Sequence, residues 1–356
     1  MVALAEKTPG LLEAVVRGAE FNEAVPKVGG TMVSFLSSKD ASVRTAAARL
    51  CGIWKLSGTK EWLAKCVAGA GGTEERLAMT TALAKLGAAD SLQGLWAAEK
   101  PAAVRAAAIA AHAAVNPESS ARVAAQVLRD LAEPADDVMV FEAFLARGEG
   151  PALLAKALAG SKLRESVALA GSRTASASGR QVPELLAALN EAGGLKPLAP
   201  SLAPSERQSL IADAESKGSA ERGRQVYERT AMACTTCHLV NGKGGKLGPD
   251  LSTVGSYMTP ESMLESLLNP STDIKQGYET VIVTKKDQTL VSGLLQRKTD
   301  TAALVRDPSG QVVSIPSGEI AKVDTSPVSL MPPGLTSTLR RDELVDLMAC
   351  LTSLGK

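Results

Sequence analysis

Residues 219–255 read SAERGRQVYERTAMACTTCHLVNGKGGKLGPDLSTVG, and the pentapeptide Cys234-Thr235-Thr236-Cys237-His238 within them decides the reading of the C-terminal part of the chain. The whole sequence has 5 cysteines and 2 histidines, so three of these seven residues stand side by side. The other four, Cys51, Cys66, Cys350 and His112, are scattered.

Two thiols three positions apart can each add to one of a haem's neighbouring vinyl groups, and the adjacent imidazole can then bind the iron from the same side; this is the attachment pattern of haem c. Two other chemistries use a C-x-x-C pair. A structural zinc site needs a second ligand pair, which the scattered residues do not supply. A dithiol redox motif normally opens a helix after a strand, whereas this motif follows a helix. Upstream, Ser219 is placed to cap a helix whose apolar positions include Val226 and Tyr227. Downstream, a glycine-rich stretch permits the tight path of a chain that wraps a flat macrocycle.

A helix, C-x-x-C-H, a glycine-rich loop with Gly248-Pro249-Asp250-Leu251, and a closing helix in RRDELVDLMACLTSL (340–354) resemble the class I c-type cytochromes. The closing segment carries Leu344, Leu347, Met348, Leu351 and Leu354 at helical spacing. The resemblance implies that the Pro249 carbonyl accepts the free ring N–H of His238, fixing its tautomer. It also implies a methionine as the second axial ligand. Met331, in Ser329-Leu330-Met331-Pro332-Pro333, has the Leu-Met-Pro setting of that family, and the two prolines stiffen its loop. Met258, Met263 and Met348 are read as core residues. His112 lies in an alanine-rich stretch far away and is read as a packed or surface residue.

Between the haem motif and Met331 lie about 90 residues, more than a small class I domain needs. PESMLESLLNP (260–270) reads as helix. Residues 277–325 then alternate Val, Ile, Thr and Leu with polar residues, with turn signals at Lys286-Asp287, Asp300, Pro308-Ser309-Gly310 and Ser317-Gly318. They predict five antiparallel strands at roughly 279–284, 289–297, 301–306, 311–315 and 319–324, an inserted β-module. The order Leu268-Asn269-Pro270-Ser271, Gly277-Tyr278-Glu279, Gly293-Leu294-Leu295, Ile315-Pro316, Leu330-Met331-Pro332 resembles the planctomycete and verrucomicrobial type of haem-binding C-terminal domain. That domain is found with HEAT-like helices and membrane-bound dehydrogenases, and the resemblance covers about residues 216–356.

The first 215 residues contain no run of strands. KDASVRTAAARLCGIWKL, TEERLAMTTALAKLG, KPAAVRAAAIAAHAAV and ADDVMVFEAFLARG each open with polar residues before an apolar run. Arg44, Arg76 and Arg105 recur at similar intervals and are expected to cap neighbouring helices. This pattern resembles HEAT repeats, with an irregular helical bundle as the alternative. Hydrophobic residues make up 45% of the chain and aromatics only 3%, with alanine and leucine abundant, which favours closely packed helices. The expected fold is therefore mainly α: a HEAT-like domain over 1–205, then a cytochrome c domain over 206–356 holding the β-insertion at about 277–325. Pro197, Pro200 and Pro204 mark a semi-rigid spacer between them. A Cys51–Cys66 disulfide is one option, two buried thiols the other; Cys350 is read as a packed thiol.

The net charge of +1 gives no reason to expect nucleic acid or an anionic membrane as partner. No apolar run is long enough to span a bilayer. Haem c is attached outside the cytoplasm in bacteria, so the chain is expected in the periplasm or a similar compartment, with a leader or upstream sequence missing. No constellation for acid–base or nucleophilic catalysis stands out. The expected function is one-electron transfer through a single haem c, with Cys234, Cys237, His238, Pro249 and Met331 as the site. The donor would be a dehydrogenase and the acceptor a cytochrome or an oxidase. Alternatives are the haem-bearing tail or subunit of a dehydrogenase, an open-site sensor or peroxidase should Met331 not bind the iron, or an interaction protein with a redox reporter.

Overall fold

The computed structural model describes residues 9–19, 29–97, 99–131, 138–195, 202–229 and 232–356. The expected spacer prolines Pro197 and Pro200 lie outside these residues. The chain divides into two compact units, one of Met1–Ser172 with Glu184–Leu195, the other of Arg173–Pro183 with Lys196–Lys356. Arg173–Pro183 thus groups with the second unit, a departure from a single break near residue 205. Among the described residues no helix is long and apolar enough to cross a membrane.

The first unit is helical: α1 Pro9–Ala19, α2 Gly29–Leu36, α3 Ala41–Ile53, α4 Lys60–Val67, α5 Thr73–Lys85, α6 Ala89–Leu95, α7 Ala102–Ala113, α8 Pro117–Asp130, α9 Val138–Leu145 and α10 Gly150–Leu158. Helices α11 Glu165–Ala177 and α12 Pro183–Gly193 follow. Helix α3 packs on α5, α5 on α7 and α7 on α9, while α8 packs on both α7 and α10. Alanine makes this possible: Ala106, Ala107, Ala108, Ala110, Ala111 and Ala113 of α7 are all buried, so neighbours approach its backbone from several sides. The recurring arginines tie helix starts to the chain before them. Arg44 donates to the carbonyls of Ser38 and Lys39 and pairs with Glu75, and Arg76 donates to Ala70 O. Arg105 donates to Trp96 O and to Asp130. Cys51 and Cys66 are free thiols, so the disulfide option is not realised. His112 is buried, with Nδ1 2.8 Å from Ser120 Oγ and the Trp96 ring edge-on at 4.9 Å.

The second unit contains α13 Pro204–Lys217, α14 Ala220–Tyr227, the single turn α15 Cys234–Cys237, strands β1 Leu239–Val240 and β2 Lys243–Gly244, α16 Val254–Tyr257 and α17 Pro260–Leu268. Strands β3 Thr280–Lys285, β4 Leu290–Lys298, β5 Ala302–Arg306, β6 Val312–Pro316 and β7 Ile320–Ser326 come next, and α18 Arg341–Ser353 closes the chain. The Ser219 hydroxyl caps α14 by accepting from Arg222 N, and Val226 and Tyr227 are buried. Helices α14 and α18 cross closely. A side chain at Gly223 would meet the Asp346 carbonyl oxygen at 1.9 Å, so only glycine permits this crossing. Arg222 grips the Asp346 carboxylate with two bonds of 2.6 and 2.7 Å, and the same carboxylate accepts from Ser219 N.

Strands β3–β7 occupy the five expected segments to within two residues, in the sheet order β6-β5-β4-β3-β7, all antiparallel. The edge strands β6 and β7 are joined by only three residues, Ser317–Glu319. Four strand spacings of ~4.8 Å would set the edges of a flat sheet roughly 19 Å apart. Three linking residues span about 14 Å at most. The sheet must therefore curl, and it does so around its own core of Val281, Val283, Val305 and Ile315. The linking turn fastens the curl: Ser317 N donates to Thr301 O and Lys286 N to Glu319 O.

Candidate haem site

The motif forms one helical turn, entered through Ala233 in the left-handed region (φ 53°) and left through extended His238 (φ −109°, ψ 139°). His238 N donates to Cys234 O at 2.8 Å, closing the turn. One turn sets residues i and i+3 on the same face, so Cys234 and Cys237 lie together. The loop after β2 folds back on the motif through backbone bonds from Gly245 N to Thr235 O, from Gly248 N to Cys237 O and from Leu251 N to Leu239 O.

That loop delivers Pro249 to the imidazole. His238 Nδ1 lies 2.8 Å from the Pro249 carbonyl oxygen. Since a carbonyl only accepts, Nδ1 carries the proton and Nε2 keeps its lone pair for a metal. Burial holds the His238 pKa below its ordinary value, with the Pro249 bond opposing, so the ring is neutral and able to coordinate. Gly248 lies against the ring face; a Cβ there would come within 2.5 Å of Cε1 and 2.7 Å of Nδ1. Glycine is needed to let the loop backbone approach the imidazole this closely.

The thiols are half-buried. Burial pushes Cys234 up to about 11 and raises Cys237 as well. Neither is the low-pKa, exposed thiolate that dithiol redox chemistry uses. Among the described residues no group of three or more His, Cys, Asp and Glu side chains is placed to hold a metal ion.

Met331 is half-buried, and its N–H donates to Ser329 Oγ at 3.1 Å. It packs against the apolar cluster of α13, α14, α17 and α18 that also receives Cys234. Met263 and Met348 lie inside that cluster, 3% and 0% exposed, as core residues. Met258 does not: like Met331 it is half-buried and packs at the cluster's surface. The donor set of two thiols on one turn, an imidazole with Nε2 free and a thioether at an apolar cluster fits haem c. A cavity of about 410 Å³ elsewhere in the unit is lined by Leu202 and by α13, α17 and α18 residues such as Leu210, Leu268 and Leu344, and none of the site residues is on its wall.

The cytochrome c family model matches residues 220–289, from α14 to the turn before β4. A cytochrome c domain is present. It implies covalently bound haem c with its iron, an electron-transfer role and redox protein partners. The match to the cytochrome c family ends before Met331 and α18. No curated protein matches the chain.

Sequence reading singled out Gly248 as part of the Gly-Pro-Asp-Leu segment but not its place against the His238 ring, for which a glycine directly before Pro249 was the available signal. It also missed a second apolar cluster at the cytochrome c motif, where Leu247, Leu294 and Leu330 are buried and Cys237 and Tyr278 pack against them. These residues meet only through tertiary folding.

Proposed function

We propose that the cytochrome c domain carries a single haem c, attached through Cys234 and Cys237, with His238 and Met331 as its axial ligands. The observation that carries this reading is the 2.8 Å contact between His238 Nδ1 and the Pro249 carbonyl, directly after the two-thiol turn. It commits the imidazole to one tautomer and raises the basicity of Nε2. Haem iron supplies the chemistry of taking up and giving back one electron. The chain's residues do the rest. The motif turn and its loop hold the imidazole, and the apolar clusters on the Cys234 and Cys237 sides keep water from the centre. The Met331 thioether, a soft neutral donor, favours the ferrous state. His238 and Met331 would together hold the haem, which would supply one-electron exchange between protein partners. The donor is a dehydrogenase and the acceptor a further cytochrome or an oxidase, outside the cytoplasm.

The order of motifs around the β-module supports the planctomycete and verrucomicrobial type of domain. The side-by-side packing of α3, α5, α7 and α9 supports a HEAT-like scaffold ahead of it. A reduced pyridine haemochrome spectrum of the purified protein tests for thioether-linked haem. The near-infrared charge-transfer band of methionine-ligated ferric haem tests the second ligand. It should be present in the native protein and vanish in Met331→Ala. Met258 supports a second reading, because it shares the half-buried position on the same cluster; persistence of the band in Met331→Ala and its loss in Met258→Ala would establish that reading.

A further inference from the structure

We infer that the inserted β-module braces the loop that presents Met331, with Thr280 and Leu294 as the positioning residues. The inference rests on Met331 being the axial ligand. It starts from the sheet register. Cross-strand pairing sets Ser326 of β7, Thr280 of β3, Leu294 of β4 and Arg306 of β5 in one row. Residues directly opposite share a face, and the module's own valine core lies on the other one. This row therefore points out of the curled sheet, toward Gly179 and the Met331 loop at the Ser326 end and toward the haem motif from Leu294 to Arg306.

At one end, the Thr280 side chain is fully buried and its hydroxyl donates to Val328 O at 2.7 Å. Val328 N donates to Ser326 Oγ at 3.1 Å. Both backbone groups of Val328 are thus held by side chains of the module, three residues before Met331. The chain continues under restraint: Ser329 N donates to Ser271 Oγ, and Met331 N to Ser329 Oγ. Pro332 and Pro333 stiffen the far side.

In the middle of the row, Leu294 is 3% exposed and packs with Leu330 and Leu247 against Cys237, with Tyr278 beside them. The residue next to the axial methionine and the second attachment cysteine therefore rest on one patch of the module. At the outer end, Arg306 with the β5–β6 turn and Lys246 with the motif loop line a notch of about 290 Å³. The module abuts the motif and its loop from Leu294 to Arg306.

An axial methionine can be displaced by an added ligand, and displacement requires its loop to move away. The restraints on that loop therefore set how tightly an external ligand binds. Removing the buried Thr280 bond should cost the loop the equivalent of one hydrogen bond, which raises external affinity about five-fold.

The test uses the ferric holoprotein and imidazole, titrated while the methionine charge-transfer band is followed. Thr280→Val, which keeps the shape and loses the hydroxyl, should bind imidazole about five-fold more tightly than wild type. Thr280→Ser, which keeps the hydroxyl, should behave like wild type. Leu294→Ala should show a gain at least as large, and Leu294→Val repeats the test with a smaller cavity should either variant fail to fold. Wild-type imidazole affinity in Thr280→Val and in the Leu294 variants would overturn the inference and leave Met331 as ligand. A band that survives Met331→Ala would overturn both.

Discussion

Replacing Gly223 by alanine tests the frame that holds the haem motif. The new Cβ would stand 1.9 Å from the Asp346 carbonyl oxygen, 2.5 Å from its carbon and 2.7 Å from Cys350 Cβ. Ordinary contact is roughly 3.5–4.0 Å, so α14 and α18 would have to part by about 1.5 Å or more. Two of the atoms met are backbone, and no rotamer change relieves the clash. Overpacking of this kind costs about 1–3 kcal/mol, and separation also strains the Arg222–Asp346 pair. Alanine returns about 1 kcal/mol through its better helix propensity. The net loss should be about 1 kcal/mol, or roughly 2–4 °C in the melting temperature of a unit this size. A chain of two units need not unfold in one step, so the haem Soret band should be followed alongside far-ultraviolet circular dichroism. The Soret midpoint reports the cytochrome c domain alone. Gly94→Ala is the control: it lies in α6, and its added Cβ meets nothing within 4 Å. It should raise stability by about 0.5–1 kcal/mol and leave the Soret midpoint in place. A Soret midpoint in Gly223→Ala equal to or above wild type would refute the close crossing.

Gly248→Ala should push the His238 ring off its loop and break the Nδ1–Pro249 bond, lowering covalent haem per protein in the pyridine haemochrome measurement; unchanged incorporation with an unchanged ferric spectrum would contradict this geometry. The Arg222 guanidinium holds Asp346 below the usual carboxylate range. Its contribution should be complete above the unfolded value near 3.8 and disappear as pH falls through the lower folded value. Asp346→Asn should cost about 1–2 kcal/mol at neutral pH, modest because Arg222 is largely exposed, and should flatten that acid limb in denaturant titrations from pH 5 to 2. Burial lowers the His112 pKa in the first unit, so the unfolded chain takes up a proton near 6.5 that the folded chain refuses. The stability of that unit should fall as pH drops below about 6.5, and His112→Gln should remove this slope in circular dichroism melts.

What was legible in the sequence is what local chemistry dictates. The pentapeptide carries its chemistry in its spacing. The strands of the module follow from period-two alternation and turn residues, and α18 from apolar residues at helical spacing. The side of Met258, half-buried where a core residue was expected, could not be read, because a lone methionine carries no periodic signal. Nor could the grouping of Arg173–Pro183 with the second unit. It depends on Gly179, whose carbonyl accepts the Ser326 hydroxyl and which lies against Thr280 and Leu330. Such contacts join residues distant in the chain, and nothing in the local pattern of either partner announces them.

This division between local and distant contacts has a consequence for the site itself. The histidine side is built from one short stretch: the turn, the loop bonds at Gly245 and Gly248, and the Pro249 carbonyl all lie within residues 234–249. The methionine side depends on Thr280, Leu294 and Ser326, whose placement requires the whole module to be folded. Closing a short loop costs less chain entropy than bringing distant segments together, and regions held by few distant contacts open first. With His238 and Met331 as the ligands proposed above, the two should therefore fail in order. On heating the ferric protein, the methionine band should disappear in a transition below the one that releases His238. Simultaneous loss of both would mean that the module and the motif open as a single unit.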